Sequence, residues 1–416
     1  MTIKFLIKYN PAGLILLMVL LVGQLVWQAS AQAHTARVTA EFTPDRNNPN
    51  NKTFTNTSPI TGVCGNAHKD WCIANKVASI ATGFTIGTPV KKGSGISDHG
   101  RGSMYFGLPE QRQVMVTSDT GETATLFLRI TGFAFRYNYR GAPEDAPVSG
   151  VRDLRGCREV YGNGVVRESI FRIIARNDNG AGGSSSCAYE MLSDAEYDFM
   201  GADIIYELET PEPLNMKNGA YHGTSSYSMG GMGSDIDFGD GLTNITESVL
   251  NLDFTLTVNH MFALEFPPGS EIVNLQPLGG WNQWIDYKKV PATLRRDTPF
   301  QVSGSTNFSV NLNCEFPMPE GRCGISNGVS TVPLDVAITM PGFLGRADLG
   351  FAEALNYPLT QSVTQPPRFS PRGGEAVFQR RSFLRFEVNG EPIKEMVTHP
   401  DTQYKGRVTV IFDADM

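Results

Sequence analysis

The carboxyl-terminal segment constrains the fold of this chain more than any other part of the sequence. Residues 404–416 read Tyr-Lys-Gly-Arg-Val-Thr-Val-Ile-Phe-Asp-Ala-Asp-Met, an alternating pattern of the kind found in β-strands. A chain end is usually poorly ordered unless a sheet holds it, so this segment needs a partner strand. Alternation places Val408, Val410 and Phe412 on one face and Thr409 and Ile411 on the other. Taken alone, the segment is compatible with the last strand of a self-contained β-sandwich.

The amino terminus predicts a secretory signal peptide over residues 1–33. Lys4 and Lys8 form a positive region, residues 14–26 are apolar apart from one Gly-Gln pair, and residues 29–33 offer small-residue cleavage sites. A membrane anchor is the alternative, but it needs about 20 apolar residues and this run is shorter. We therefore expect the mature chain to be exported.

Cysteine spacing agrees with an oxidising compartment. Six cysteines remain after cleavage, and they fall into three sequential pairs: Cys64 with Cys72, Cys157 with Cys187, and Cys314 with Cys323. Short separations suit disulfides that close local loops or hairpins. No pair has the CxxC spacing with nearby histidines that is typical of a zinc site. We predict these three disulfides, and we expect no metal and no other cofactor.

Short alternating segments dominate the rest of the chain, and long helical periodicities are hard to find. Residues 126–130, 133–139, 170–174 and 252–258 alternate, and clusters of Gly, Pro, Asn and Asp separate such segments. This pattern predicts an all-β chain built from β-sandwiches. The net charge of -7 becomes about -9 without the two signal-peptide lysines, which argues against a nucleic-acid partner.

A domain boundary is predicted near Asn259 and His260. The strand pattern at 252–258 closes one β-rich region, and residues 262–266 open another that continues into a Pro-Pro-Gly turn. We predict a first domain over 34–258 and a second over 260–416, with almost no linker. A connection this short favours a rigid rod over a hinged enzyme.

The second region contains a series of segments that together resemble a known family. In chain order they are Phe262-Ala263-Leu264-Glu265-Phe266-Pro267-Pro268-Gly269, Leu275-Gln276-Pro277-Leu278-Gly279-Gly280-Trp281, Thr298-Pro299-Phe300, Phe308 to Cys314, Val332 to Val336, and the terminal Tyr404-x-Gly406-x-Val408-x-Val410-x-Phe412. Their order and the terminal strand resemble the pilin domain of chaperone-usher fimbrial tip adhesins. In that two-domain arrangement an N-terminal receptor-binding sandwich precedes the pilin domain.

The resemblance implies two tandem β-sandwiches, the second an immunoglobulin-like pilin fold that lacks its last strand. A strand from a periplasmic chaperone would fill the resulting groove, and the N-terminal extension of the next fimbrial subunit would later replace it at an outer-membrane usher. Val408, Val410 and Phe412 would line one wall of the groove, and basic chaperone residues would hold the Met416 carboxylate. Because a whole domain stands where a donor strand would be, such a subunit would sit at the fimbrial tip on the cell surface.

Two stretches are candidates for receptor binding, and each has a structural alternative. Trp71 and His68 lie in the short Cys64–Cys72 loop, where Trp71 could stack on a sugar or pack over its own disulfide. Tyr221, His222 and Tyr227 belong to the polar, glycine-rich stretch 221–232, which predicts an adaptable recognition loop or else an ordinary solvent loop or hairpin. Two further aromatic side chains are predicted to be core residues of the second domain, Trp281 and Trp284.

Three functions remain open at this level. The first is a non-enzymatic tip adhesin that attaches to a host or environmental surface through a glycan or protein receptor. The second is a secreted carbohydrate-active enzyme with an appended β-sandwich, and the third is a non-binding minor pilin that initiates assembly. The sequence contains no HExxH, GxSxG or Walker motif, so we expect no enzymatic activity.

Overall fold

The computed structural model describes residues 33–415 apart from 66–67, 88–100, 103, 140–147, 156, 163–168, 177–182, 192–196, 241–242, 348–349 and 362–364. The predicted signal peptide, except for its last residue, and Met416 lie outside the described residues. No described helix is long and apolar enough to cross a membrane.

The first half of the described chain forms one large sheet and a small two-stranded one. Its elements are β1 (Ala33–Phe42), β2 (Thr55–Asn56), α1 (Lys69–Asn75), β3 (Ala78–Ala81), β4 (Ile86–Gly87), β5 (Met104–Leu108), β6 (Arg112–Ser118), β7 (Thr123–Tyr139), β8 (Val148–Arg155), β9 (Cys157–Gly162), β10 (Ser169–Arg176), β11 (Ser185–Met191), β12 (Tyr197–Glu209), β13 (Gly219–Gly230), β14 (Ile236–Asp237), β15 (Thr243–Ile245) and β16 (Val249–Val258). The main path runs β3-β12-β7-β6-β13-β14-β5-β11-β8, and β1 joins it through β16 in parallel register. The small sheet pairs β4 with β15.

One face of this large sheet is buried along its length, and the other is covered only in part. The inner face holds the main core, and its centre is aromatic: Phe106 stacks on Phe135 at 4.6 Å between ring centroids, and Phe133 lies 5.9 Å from Phe238. On the outer face of β7, β10 and β12, α1 and its disulfide cover a smaller apolar cluster. Alternation along the strands explains the division, since neighbouring residues such as Ile204 and Ile205 join opposite clusters.

The second half forms a separate sheet with its own core. Its elements are β17 (Phe262–Glu265), β18 (Gln276–Pro277), α2 (Asn282–Tyr287), β19 (Thr293–Gly304), β20 (Phe308–Cys314), β21 (Phe316–Pro317), β22 (Cys323–Ser326), β23 (Thr331–Ala347), β24 (Gly350–Leu359), β25 (Arg368–Pro371), β26 (Val377–Asn389), α3 (Glu391–Val397) and β27 (Val408–Ala414). The path runs β17-β19-β26-β23-β25-β20-β27, and β27 is antiparallel to β20. The predicted all-β fold class is confirmed.

The three predicted disulfides are also confirmed, as Cys64–Cys72, Cys157–Cys187 and Cys314–Cys323. Each links two residues of the same half of the chain. None therefore joins the two large sheets.

One buried histidine lies where the two large sheets meet. His260 follows β16, and its Nε2 lies 2.7 Å from the Met216 carbonyl oxygen while its Nδ1 lies 3.1 Å from Ser305 Oγ. Its ring also meets the edge of Phe42, at 6.1 Å between centroids. Burial lowers the pKa of His260, so the neutral ring that these contacts satisfy is favoured.

Candidate functional site

A long groove opens along the second sheet between β27 and the segment 266–275 that continues from β17. In the described part of the chain, β17 pairs only with β19 and β27 pairs only with β20, so each strand leaves one backbone edge without a strand partner. Phe262 of β17 and Phe412 of β27 face each other with ring centroids 6.4 Å apart. Unpaired edges of this kind are templates for another strand.

The alternation of β27 gives one wall of the groove its chemistry. Val408, Val410 and Phe412 are half-buried and pack against the core, whereas Thr409 is exposed on the opposite face. Val410 lies directly across from the buried Leu312 of β20. Both valines line the groove, and Phe412 packs among aromatic rings at its end nearest β17. Met416, predicted as a chaperone contact, lies outside the described residues.

The other wall is the segment 266–275, which leads from β17 towards β18. Its first residue, Phe266, stacks on Phe300 of β19 with 5.0 Å between ring centroids. The floor between the walls is made of side chains that belong to the core: Leu294, Ile325, Leu334, Leu384, Phe386 and Ile393. The sequence analysis missed this wall and floor, although the run of apolar residues between 272 and 285 could have indicated an uncovered surface.

The volume of the groove indicates the kind of partner it suits. It is about 1290 Å³, larger than the roughly 300–1,000 Å³ of most small-molecule sites. Apolar side chains at its mouth remain accessible: Ile272 is 70% exposed, Phe266 42% and Trp281 41%. A groove of this size between two free strand edges suits an extended polypeptide that covers the apolar surface.

The prediction that Trp281 and Trp284 are core residues is wrong. Trp281 is exposed at the groove mouth, and Trp284 is half-buried. Trp281 immediately precedes α2, and Trp284 lies in its first turn. No residue of this short helix is buried, so neither tryptophan reaches the core of the sheet.

Trp71 lies on α1 rather than in an open loop. It is half-buried and packs against the outer-face cluster that contains both cysteines of its disulfide, together with Ala134 and Ile205. His68 immediately precedes the helix, and its ring meets that of Tyr161 edge-on at 4.5 Å. Trp71 therefore helps to cover the sheet, which is the structural alternative considered for it.

The prediction of a recognition loop over 221–232 is wrong, because most of this stretch is the central strand β13. Tyr221 and Tyr227 face the inner core and are 1% and 0% exposed, so neither can contact a receptor. His222 points the other way and is exposed, with its Nδ1 3.3 Å from Thr255 Oγ. A Cβ at Gly223 would lie 2.5 Å from the Met115 carbonyl oxygen, so glycine here reflects close strand packing rather than a flexible loop.

The structure does not bring the receptor-binding candidates together. Trp71 belongs to the cluster on the outer face, whereas Tyr221 and Tyr227 belong to the inner core. In the described residues, no group of three or more His, Cys, Asp or Glu side chains is placed to hold a metal ion.

A charged cluster that the sequence analysis did not find lies beside β5 and β14. Arg101 bonds Asp237 at 2.6 and 3.1 Å and Asp240 at 3.1 Å, and it also lies 5.0 Å from the centroid of the Tyr105 ring. The hydrogen bond to Asp237 raises the pKa of Arg101 above its ordinary value. Since one arginine binds both carboxylates, the arrangement holds residues 237–240 against Arg101 and does not resemble a pair of catalytic carboxyl groups.

One carboxyl group of the first sheet is perturbed by burial. Asp203 of β12 lies under the turn at Gly62, where the backbone has a φ of 73° and an added Cβ would lie 2.7 Å from Asp203 Cγ. Desolvation raises the pKa of Asp203 to about 6, although the N–H of Val63 donates a hydrogen bond to it. This close packing connects β12 to the disulfide loop that carries Trp71.

Comparisons with known proteins give structural neighbours only. A scan against protein-family models gives no match, and a search of curated proteins gives none. A solved chaperone–tip adhesin complex from CFA/I fimbriae biogenesis aligns over 92% of this chain and 97% of its own, with 9% identity and a TM-score of 0.26. The CsuC–CsuE chaperone–tip adhesion subunit pre-assembly complex of archaic chaperone-usher Csu pili from Acinetobacter baumannii aligns over 92% and 98%, with 10% identity and a TM-score of 0.21. At such scores the likeness carries no weight, and function is inferred from the groove.

Proposed function

We propose that this chain is a fimbrial subunit whose second sheet is completed by a strand from another protein. The observation that supports this most strongly is the groove between β27 and the segment that follows β17, where both β17 and β27 leave one strand edge unpaired. A strand inserted there would gain backbone hydrogen bonds along both edges and would cover the core residues of the floor. A periplasmic chaperone would supply the strand first, and the next subunit would supply it after transfer at an outer-membrane usher.

The proposed position is the tip of the fimbria. A subunit further down the fibre needs a free strand to donate, whereas β1 pairs with β16 along its whole length of ten residues. In the sequence, the rest of the first sheet separates β1 from the groove-bearing sheet. In this scheme the chain accepts a strand and donates none, after a signal peptide has directed it through the periplasm to the cell surface.

We assign receptor binding to the region 34–258 and the groove to the region 260–416. A glycan or a surface protein is the proposed receptor. His222 is the exposed candidate, and His68 and Trp71 are accessible in part. A glycan panel incubated with the mature chain distinguishes three functions, because intact bound sugar supports an adhesin, cleaved sugar supports a carbohydrate-active enzyme, and no interaction supports a non-binding minor pilin.

The strand-acceptor function is tested by supplying the missing strand in the same chain. The mature chain, residues 34–416, is refolded alone and with an alternating valine–threonine strand fused to its carboxyl end through a flexible linker. We expect the unfused chain to aggregate and the fused chain to be monomeric with a cooperative urea transition. A fusion that carries proline at alternate positions is the control, because proline cannot donate to the ladder. Equal solubility and equal urea midpoints for all three proteins would contradict the proposal.

A further inference from the structure

The groove differs in charge between its two ends. Lys405 and Arg407 line the part of the groove that precedes β27, and both side chains are exposed. The opposite end, near Phe412, has the exposed carboxylate of Asp413 on the outward face of β27. A strand lying in the groove would therefore meet cations at one end, whereas the carboxylate near the other end points away from the groove.

A third cation, Arg296, lies beside the basic end, although its side chain is not part of the groove lining. Arg296 lies on β19 between Leu294 and Thr298, both of which line the groove, and alternation puts all three side chains on the same face. Register gives the same result, because Arg296 is directly opposite Phe386 of β26, a residue of the groove floor. Moving along β19 from Phe300 to Arg296 leads away from Phe412, so Arg296 lies towards the end that carries Lys405 and Arg407.

These three cations have no ion-pair partner among the described residues. The arginines of the second sheet that do pair with carboxylates are others: Arg295, Arg322, Arg368, Arg372 and Arg385. Glu271 is the one carboxylate among the described lining residues of the groove. The Glu315 carboxylate accepts a hydrogen bond from the Arg407 N–H beside this end, so three cations stand against one nearby carboxylate, and the basic end has an excess of positive charge beside an apolar floor.

From this asymmetry we infer that the strand accepted by the groove carries an acidic side chain at the end that lies beside Arg296, Lys405 and Arg407. This inference rests on the proposed function and specifies the chemistry of the partner. The alternating apolar residues of the partner would fill the groove, and its carboxylate would select the position along the groove at which they insert. An acidic residue at the other end would meet no cation of the described groove lining and would gain no such attraction.

The test uses the mature chain refolded with a labelled neutral peptide of alternating valine and threonine. Unlabelled peptides with both termini blocked then compete, carrying aspartate, asparagine or lysine at either end. We expect one of the two aspartate peptides to bind about fivefold more tightly than its asparagine counterpart at low salt, and the gain to shrink in 0.5 M NaCl, as for an exposed ion pair. The lysine peptide with the same end position should bind more weakly than asparagine.

Two variants identify the residues responsible. Arg296→Gln and Arg407→Gln should each reduce the aspartate preference, while Lys289→Gln, at an exposed lysine that lies neither in the groove lining nor on β19, should preserve it. Equal binding of all peptides would overturn the charge inference and leave the strand-acceptor function intact. An undiminished aspartate preference in Arg296→Gln and Arg407→Gln would also overturn it. Failure of every peptide to bind would overturn the proposed function together with this inference.

Discussion

Replacing Val410 by aspartate tests the groove at the centre of its β27 wall. Val410 is half-buried in the open groove and lies across from the buried Leu312, so an inserted strand would cover what remains exposed. Val410→Asp should therefore impair strand binding far more than it impairs the folding of the sheet. Thr409→Asp is the matched control, because it introduces the same carboxylate one residue away on the exposed face.

The size of the effect follows from the chemistry of burial. A covered aspartate without a partner would have to bind a proton, and at pH 7 this costs about 4 kcal/mol for a group with a pKa near 3.9. Loss of the valine contact adds about 1.5 kcal/mol. Even if water reaches part of the site, we expect at least a 100-fold weaker Kd for an alternating apolar peptide. Val410→Ala, which removes only apolar contact, should weaken binding about tenfold.

Fluorescence anisotropy of a labelled peptide, measured on each refolded variant, provides the assay. Binding to Val410→Asp should recover partly between pH 7 and pH 4.5, because protonation removes the charge before the strand covers it, whereas Thr409→Asp should change little. Equal losses for Val410→Asp and Thr409→Asp, or a loss that does not depend on pH, would refute the assignment of this face to the groove.

Three further predictions concern stability, each measured by urea denaturation of the strand-fused chain. Because burial raises the pKa of Asp203 to about 6, the folded state favours its protonated form, and stability is lost as pH rises from about 4 through 6. Asp203→Asn should remove this loss and be more stable than the wild type at pH 7 by about 1 kcal/mol after solvent screening. An unchanged pH profile in the variant would contradict this. Burial lowers the pKa of His260, so stability should fall as pH decreases below about 6.5. His260→Gln should flatten that fall and be less stable than the wild type at pH 7.5; a wild-type pH profile in the variant would contradict this. Replacing Cys314 and Cys323 together by serine should destabilise the chain by about 2–3 kcal/mol, and an unchanged urea midpoint would count against this.

Features governed by local pattern could be predicted from the sequence. The alternation of residues 408–414 correctly predicts a strand and the face that Val408, Val410 and Phe412 occupy. The short sequence separation within each cysteine pair correctly predicts the disulfides, because each pair joins elements that pack together in space, such as β20 and the start of β22. The all-β class follows from the many short alternating segments.

Features that depend on long-range packing could not be predicted. The stretch 221–232 has the composition of a loop, yet β13 uses its glycines and serines to approach β6 and β16 closely, and its tyrosines enter the core. The second wall of the groove depends on the path that the backbone of residues 266–275 takes, and no periodic pattern in their sequence predicts that path. The charge of the groove depends on the register that places Arg296 opposite Phe386, which the sequence alone does not specify.

Hydrogen exchange of the two free edges tests the central claim most directly. Amide exchange is followed for residues 262–265 and 408–413 in the mature chain, kept dilute enough to avoid the aggregation expected of the open groove, with and without a bound alternating apolar peptide, while β26 in the middle of the sheet serves as the reference. We expect the peptide to slow exchange strongly at both edges and to leave most β26 amides unchanged, because the inserted strand pairs with β17 and β27 together. Protection at neither edge by a peptide that nevertheless binds would contradict the account.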